Sequence, residues 1–162
     1  MSGFHPTYIN LHKGATMSEG KIRAVALAIF VRPRDGAVLA VRLQEGGRVF
    51  YRPPGGGIEF GETSCEAACR EAVEELCQPV CAERLLGIVE NLFAHGDKRG
   101  HEIMFNWLLH FEDASQYERE EFPIIEANGE AYTAYWVHDA ELTAQGTPLY
   151  PRDLVKQLEV AA

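Results

Sequence analysis

The sequence predicts an α/β fold in which a mixed β-sheet lies between helices. Segments rich in aliphatic and β-branched residues lie on both sides of one long stretch of helical composition. A second amphipathic helix is predicted near the carboxyl end, and the chain has no internal repeats or low-complexity tracts. At 162 residues, it has the size of one domain with a single core.

The chain divides at its first strand-like segment. We expect residues 1–20 to form a poorly ordered arm, because they contain scattered glycines and no hydrophobic periodicity. Met17, within this arm, is a candidate natural start. Residues 21–162 are expected to form the folded domain.

The first half of the domain is predicted to open with a β-hairpin. Residues 21–33 have the composition of a buried strand, and PRDG at 33–36 supplies a turn before a second strand at 38–44. A short strand over 49–52 follows. Two prolines and three glycines at 53–57 then exclude regular structure and indicate a specially bent backbone.

One helix over residues 64–77 is the most clearly marked element. Thr63 and Glu66 have the spacing of a capping box at its start, and Pro79 lies just beyond its end. A long loop is expected over 112–130. The remaining predicted elements are a hairpin of two strands, a further strand and a terminal helix, at residues 84–95 with 101–111, 131–138 and 151–160.

Composition excludes several classes of partner. The formal net charge is −9, from 24 acidic and 15 basic residues, which disfavours binding to nucleic acid or to an anionic membrane. The longest apolar run, Ala24 to Val31, is far shorter than the ~20 residues of a spanning helix, so we expect a soluble, cytoplasmic protein. The spacing of the four cysteines fits neither a zinc motif nor a disulfide framework, so reduced thiols are expected.

The predicted helix places carboxylates on one face. On a helical wheel with Glu71 at zero, Glu74 falls at about −60° and Glu75 at about +40°. An ordinary solvated face is the common explanation, but these glutamates repel one another, and locally only Arg70 compensates Glu74. Carboxylates beside a glycine-rich bend favour a hard cation such as Mg²⁺ or Mn²⁺. The stripe expected to pack on the sheet, between roughly 100° and 200°, is Cys65, Cys69, Ala72, Val73 and Leu76.

The stretch from Gly56 to Glu75 spells G-x5-E-x7-R-E-x-x-E-E. This pattern resembles the signature of the Nudix hydrolases, and Pro54-Gly55 resembles the family's approach to it. The resemblance implies a Nudix-type α/β/α sandwich with a mixed β-sheet between helices. The sequence departs from the pattern at Ala72, which is smaller than usual, and at Cys77-Gln78, where the family has Gly and an aliphatic residue. Gln78-Pro79 can end the helix instead.

The same resemblance implies metal-dependent hydrolysis of the pyrophosphate bond in a nucleoside diphosphate linked to another moiety, by water attack at phosphorus. Carried over, the Mg²⁺ (or Mn²⁺) ligands are Gly56, Glu71, Glu74 and Glu75. Glu71 is a ligand or the general base, oriented by Arg70. Glu126, in the later loop, is favoured as a further catalytic residue. The supporting residues are Glu62, Gly55 and Gly57.

The sequence leaves the substrate open among ADP-ribose-like compounds, nucleotide sugars, dinucleotides and (d)NTPs. Aromatic residues that stack a base or belong to the core are Tyr51, Phe60, Phe93, Phe105 and Trp107. Arginines that contact phosphate or are merely solvated are Arg42, Arg48 and Arg52. The alternative function is a non-catalytic nucleotide-binding module of the same fold. Homodimers are frequent in the family, and no sequence feature decides this.

Overall fold

The computed structural model describes residues 20–95, 98–125 and 129–161. The strands are β1 (Ile22–Ile29), β2 (Val38–Glu45), β3 (Arg48–Arg52), β4 (Gly55–Gly57), β5 (Val80–His95), β6 (Lys98–Phe111), β7 (Glu121–Ile125) and β8 (Ala131–Val137). The helices are α1 (Ser64–Leu76), α2 (Asp139–Ala144) and α3 (Leu154–Ala161), and a 3-10 turn covers Ala114–Glu118.

The strands form two four-stranded sheets. The first sheet has the order β4-β1-β6-β5, with β1 parallel to β6 and antiparallel to β4. The second has the order β3-β2-β8-β7 and is antiparallel throughout. This arrangement confirms the predicted mixed α/β class, and the first sheet is the mixed one.

Strand β1 organises the core because both of its faces are buried. Ala26 and Ala28 face the cluster that includes the alanines of α1, whereas Leu27 and Ile29 face the cluster that includes Leu154 of α3. The alternation of small and large residues along one strand therefore sets a helix on each side of the first sheet.

Helix α1 begins as predicted. The Thr63 hydroxyl accepts from the Glu66 N–H at 3.2 Å, and the Glu66 carboxylate accepts from the Thr63 N–H at 2.8 Å, so the capping box is confirmed. The helix ends at Leu76 because Cys77 adopts a left-handed conformation, with φ of 54°, and donates its N–H to the Val73 carbonyl. A non-glycine residue thus occupies the position that helices usually give to glycine.

The predicted first hairpin is wrong. Strands β1 and β2 belong to different sheets, and near the turn they share an isolated bridge between Val31 and Val38. Because β4 and β6 occupy the two edges of β1, the first sheet has no place for β2 beside it, and the chain crosses at this turn to begin the second sheet. A pattern of two apolar segments and a turn does not distinguish a hairpin from such a crossing.

The prediction that residues 53–57 exclude regular structure is also wrong. Gly55–Gly57 form β4, antiparallel to β1. A Cβ added to Gly55 would lie 2.2 Å from the Ala26 carbonyl oxygen, and φ of Gly55 is 145°. The glycines therefore bring this strand closer to β1 than other residues could.

Several boundaries differ from the prediction. Strands β5 and β6 are longer than the predicted hairpin strands, because their ladder continues at both ends. The expected loop 112–130 contains strand β7, which was not predicted because Pro123 disfavours a strand in most positions. Helix α2 was also not predicted. The terminal helix begins at Leu154 rather than at residue 151.

The expected arm lies almost entirely outside the described residues, so its boundary stays a prediction. Among the helices of the described ranges, none is long and apolar enough to cross a membrane.

Candidate active site

Helix α1 buries two of its glutamates. The buried residues of the helix are Ala67, Ala68, Glu71, Ala72, Glu75 and Leu76. On the wheel used above, this arc is centred near +50°, so Glu71 and Glu75 lie within the packing face. The expected packing stripe is therefore wrong for Val73, which is 45% exposed. The small alanines allow the helix to approach the sheet closely, and Glu71 and Glu75 are buried on the same face of the helix.

The Glu71 carboxylate occupies the space above Gly56. A Cβ built on Gly56 would lie 2.5 Å from Glu71 Oε1 and 2.6 Å from its carboxyl carbon. Glu71 is 4% exposed, and Gly56 pairs with Ala26 in the middle of β4. A glycine is required at this position because any side chain would displace the carboxylate.

Arg70 connects α1 with β4 and the loop before the helix. Its guanidinium donates to both oxygens of Glu62, at 2.6 and 3.1 Å, to Glu71 Oε1 at 2.7 Å, and to the Gly57 carbonyl at 3.0 Å. The bonds to Glu62, and then to Glu71, raise the pKa of the Arg70 guanidinium further above its ordinary value. Its contact with Glu74 is longer, at 3.5 Å. Arg70 therefore holds Glu71 more closely than Glu74.

Glu62 also connects the Arg70 network to the backbone of the loop before the helix. Its Oε1 accepts from the Glu59 N–H at 2.8 Å, so the same carboxylate holds the loop backbone and Arg70. The roles assigned to Glu62 and Arg70 remain predictions, but the structure brings both next to Glu71.

Glu74 and Glu75 differ in environment. Glu75 is 6% exposed and lies one turn after Glu71 on the buried face, whereas the Glu74 side chain is 42% exposed. The structure thus divides the three carboxylates into two that are buried and one that is partly exposed.

The carboxylate and backbone oxygens of Glu71, Glu75 and Gly56 are the type of ligand that a hard cation prefers. Within the described residues, no three Cys, His, Asp or Glu side chains are arranged to hold a metal. Mg²⁺ in phosphate-processing sites is commonly held by one or two carboxylates together with water and substrate phosphates. Two carboxylates buried one helical turn apart repel each other, and a cation between Glu71, Glu75 and the Gly56 backbone would offset that repulsion.

A second charged cluster lies across the first sheet, and sequence reasoning named only one of its members, Arg52, which is buried rather than solvated. Arg23 Nη1 is 3.5 Å from Glu102 Oε1, and Arg52 Nη2 donates to the Gly55 carbonyl at 3.2 Å. Arg52 and Glu102 are each 2% exposed. Arg23 and Glu102 pair in register on the face of Val25 and Met104, opposite α1.

Burial dominates the electrostatics of this second cluster. It raises the pKa of the Glu102 carboxyl above its ordinary value, against the opposing effect of Arg52 and Arg23. It also lowers the pKa of the Arg23 guanidinium, although Glu102 acts in the opposite direction. The available sequence signal was a charged residue inside an otherwise apolar strand segment, at Arg23 and at Glu102.

The remaining predicted candidates separate clearly. Glu126 lies outside the described residues. The cysteines are free thiols, as expected. Phe93 is core, whereas Phe60, beside the glycine loop, is fully exposed and is not a core residue. Arg42 and Arg48 are exposed.

Comparison with known proteins assigns most of the chain to a family. A model of the NUDIX domain matches residues 21–157. A curated protein of Mycobacterium tuberculosis (strain CDC 1551 / Oshkosh), named as a mutator protein, MutT4, is 33% identical over 81 residues. That match covers 49% of this chain and 33% of the relative, so the chain spans about a third of the relative's length.

Two solved structures have a similar fold. A MutT NUDIX hydrolase from Burkholderia pseudomallei is 27% identical, with a TM-score of 0.50 over 72% of this chain and 84% of that chain. A NUDIX hydrolase from Nitrosomonas europaea is 20% identical, with a TM-score of 0.58 over 86% of this chain and 87% of that one. The second likeness concerns the fold alone.

Proposed function

Because the chain belongs to the NUDIX domain family, we propose that it is a pyrophosphohydrolase that cleaves a nucleoside diphosphate linked to another moiety. Water attacks one phosphorus atom of the pyrophosphate and the bridging oxygen departs with the other. The substrate classes that we propose are ADP-ribose-like compounds, nucleotide sugars, dinucleotides and (d)NTPs.

The observation that carries this proposal is the position of the Glu71 carboxylate above Gly56, with Glu75 buried one turn further along. Two buried carboxylates one helical turn apart, the first of which lies over a glycine strand, offer hard donors to a cation. A solvated acidic face would not bury these two residues.

We propose Gly56, Glu71, Glu74 and Glu75 as the residues that hold Mg²⁺ (or Mn²⁺). When bound, the cation would neutralise phosphate oxygens and lower the pKa of a coordinated water. Arg70 fixes the orientation of the Glu71 carboxylate through its 2.7 Å bond, and we propose that Glu71 acts as a ligand or as the general base. Glu62, Gly55 and Gly57 support the arrangement, and Glu126 is proposed as an additional contributor from the later loop.

An anionic substrate also needs cationic groups, since the net charge of the chain is −9. Arg23 lies beside β4, where a Cβ on Gly57 would be 3.4 Å from its Nη2, and its side chain is 25% exposed. A phosphate bound across the glycine strand would lie between the carboxylates on one side and the Arg23 guanidinium on the other.

We propose residues 21–162 as the catalytic domain.

The test is a substrate panel with product identification. Purified protein with Mg²⁺ or Mn²⁺ is incubated with ADP-ribose, nucleotide sugars, dinucleotides and (d)NTPs. Release of a nucleoside monophosphate from at least one compound is the expected result. Absence of turnover across the whole panel with both ions would contradict the proposal.

A matched pair of variants tests the site. Glu75→Gln removes one charge without changing shape and should lower kcat by at least about 10³-fold, because cation binding and water activation are both impaired. Glu59→Gln, at an exposed position near the glycine loop, should retain the activity. Equal activities of the two variants would refute the assignment of Glu75.

A further inference from the structure

Three arginines lie at the glycine strand β4, and they differ in how far their donors are already engaged. Arg52 is buried and donates to the first carbonyl of the strand at 3.2 Å. Arg70 donates to the last carbonyl at 3.0 Å and to two glutamates. Arg23, whose side chain is 25% exposed, has one ion pair within the described residues, at 3.5 Å. Arg23 is therefore the arginine at β4 that retains donors for a ligand.

The two terminal nitrogens of the Arg23 guanidinium have different neighbours. Nη1 is 3.5 Å from Glu102 Oε1, whereas Nη2 is 3.4 Å from the position that a Cβ on Gly57 would occupy. A guanidinium is planar and rigid, so the position of one nitrogen fixes the position of the other. Holding Nη1 beside Glu102 therefore sets Nη2 over the end of β4.

Glu102 is placed to hold Arg23 and not to contact a ligand itself. It is 2% exposed, and it lies between Arg23 and Asn91 in one row across β1, β6 and β5. Its Oε1 is buried and accepts no hydrogen bond from the described residues. Stability alone explains such a buried ion pair poorly, since apolar residues of similar volume often stabilise a protein as well or better.

We propose that Glu102 is a positioning residue for substrate binding, which holds the Arg23 guanidinium so that Nη2 donates to a phosphate oxygen at the end of β4. The positioning role rests on the proposed function, because the pyrophosphate of that reaction supplies the oxygen. Arginine suits this task because its N–H groups form directed, charge-assisted hydrogen bonds with phosphate. The substrate would thus gain a contact that is independent of the cation, on the side of β4 opposite α1.

Two possible roles of Glu102 predict opposite effects on the binding of an anion. If Glu102 contributed charge alone, its removal would leave Arg23 and Arg52 unopposed, and an anion would bind more tightly. If Glu102 positions Arg23, loss of the carboxylate frees the guanidinium to leave β4, and the anion binds more weakly. Glu102→Asp separates the roles further, because it keeps the charge and shortens the side chain by one methylene.

The experiment is isothermal titration calorimetry of the full chain with inorganic pyrophosphate in EDTA, where no cation mediates binding. The wild type should bind, and Arg23→Lys should weaken binding about tenfold, because an ammonium keeps the charge but loses the rigid fork. Glu102→Gln and Glu102→Asp should each weaken binding about fivefold. Arg34→Lys, at an exposed ion pair outside both clusters, is the matched control and should bind like the wild type.

Steady-state kinetics with the compound that the substrate panel identifies gives a second readout. Glu102→Gln and Arg23→Lys should raise KM about five- to tenfold and change kcat less than about threefold, because the contact is made in the ground state as well as in the transition state. Glu75→Gln, on the other side of β4, should lower kcat instead. A purely structural role of Glu102 would lower stability without this increase in KM.

Several results would overturn the proposal. These are a wild type that does not bind pyrophosphate in EDTA, a Glu102→Gln variant that binds as tightly as the wild type or more tightly, and a Glu102→Asp variant that binds like the wild type. If Glu102→Gln does not fold, Arg23→Lys and Glu102→Asp decide. Any of these results in a protein that hydrolyses a panel compound refutes the positioning role alone. Binding as expected without turnover of any compound refutes only the proposed function.

Discussion

The glycine strand β4 separates two charged clusters of opposite composition. On the α1 side, one arginine, Arg70, contacts Glu62, Glu71 and Glu74, and Glu75 of the same helix is buried. On the opposite side, one buried glutamate, Glu102, lies with two arginines, Arg23 and Arg52. The first cluster has an excess of negative charge and the second an excess of positive charge.

This difference suggests a division of tasks across β4. The carboxylate-rich cluster suits a cation, and the arginine-rich cluster suits an anion. The two clusters are close enough for Glu71 to affect the pKa of Arg23. A substrate that brings both a cation and phosphates would engage both, which agrees with the proposed pyrophosphohydrolase.

The largest expected effect is on folding. Glu102→Ala should lower the free energy of unfolding by about 3–5 kcal/mol, because it leaves two neighbouring guanidiniums at a buried site without their carboxylate. Urea denaturation measures the change. Glu118→Ala, which removes an exposed carboxylate partner of Arg34, should cost about 1 kcal/mol or less. Equal losses in the two variants would show that the second cluster contributes nothing special.

The next effect concerns catalysis on the carboxylate side. Gly56→Ala should lower kcat about 10²-fold, because the new Cβ would displace the Glu71 carboxylate and small misplacements of catalytic groups are costly. Glu118→Ala, at an exposed position outside both clusters, is the control and should retain kcat. Steady-state kinetics of both variants, once a substrate is known, tests whether the space above Gly56 is needed for activity.

A smaller effect is expected in the pH dependence of stability. Burial raises the pKa of Glu102 in the folded state, so the folded protein holds this proton more tightly than the unfolded chain. Stability from this group is complete below the unfolded pKa of 4.5 and is lost as pH rises through the raised folded pKa. The wild type should therefore lose stability relative to Glu102→Gln over that interval. A difference that is constant with pH would contradict a raised pKa.

The smallest effect lies away from both clusters. Cys77→Gly should raise the free energy of unfolding by about 1 kcal/mol, because glycine adopts the left-handed conformation of Cys77 without strain. Thermal unfolding measures the change, and activity should remain unaltered. A decrease in stability would mean that the Cys77 side chain compensates for its backbone.

The elements that were predicted well depend on short-range signals. The capping box at Thr63 and Glu66 gave the start of α1 because both partners lie within one turn. The β5–β6 hairpin was found for a similar reason. Strand β7 and the crossing between β1 and β2 were missed, because their partners lie far away in the chain and Pro123 is a loop signal in most contexts.

The sequence by itself determined the family and the carboxylates of α1, since all of these lie within one continuous segment with fixed spacing. Tertiary structure decided which of them are buried. A helical wheel gives angles between side chains, but not which arc packs on the sheet. Here the buried arc includes the alanines, so that Glu75 is buried and Glu71 lies over Gly56. The second cluster also depends on the fold, because Arg23, Arg52 and Glu102 come from three strands whose order and register bring them together.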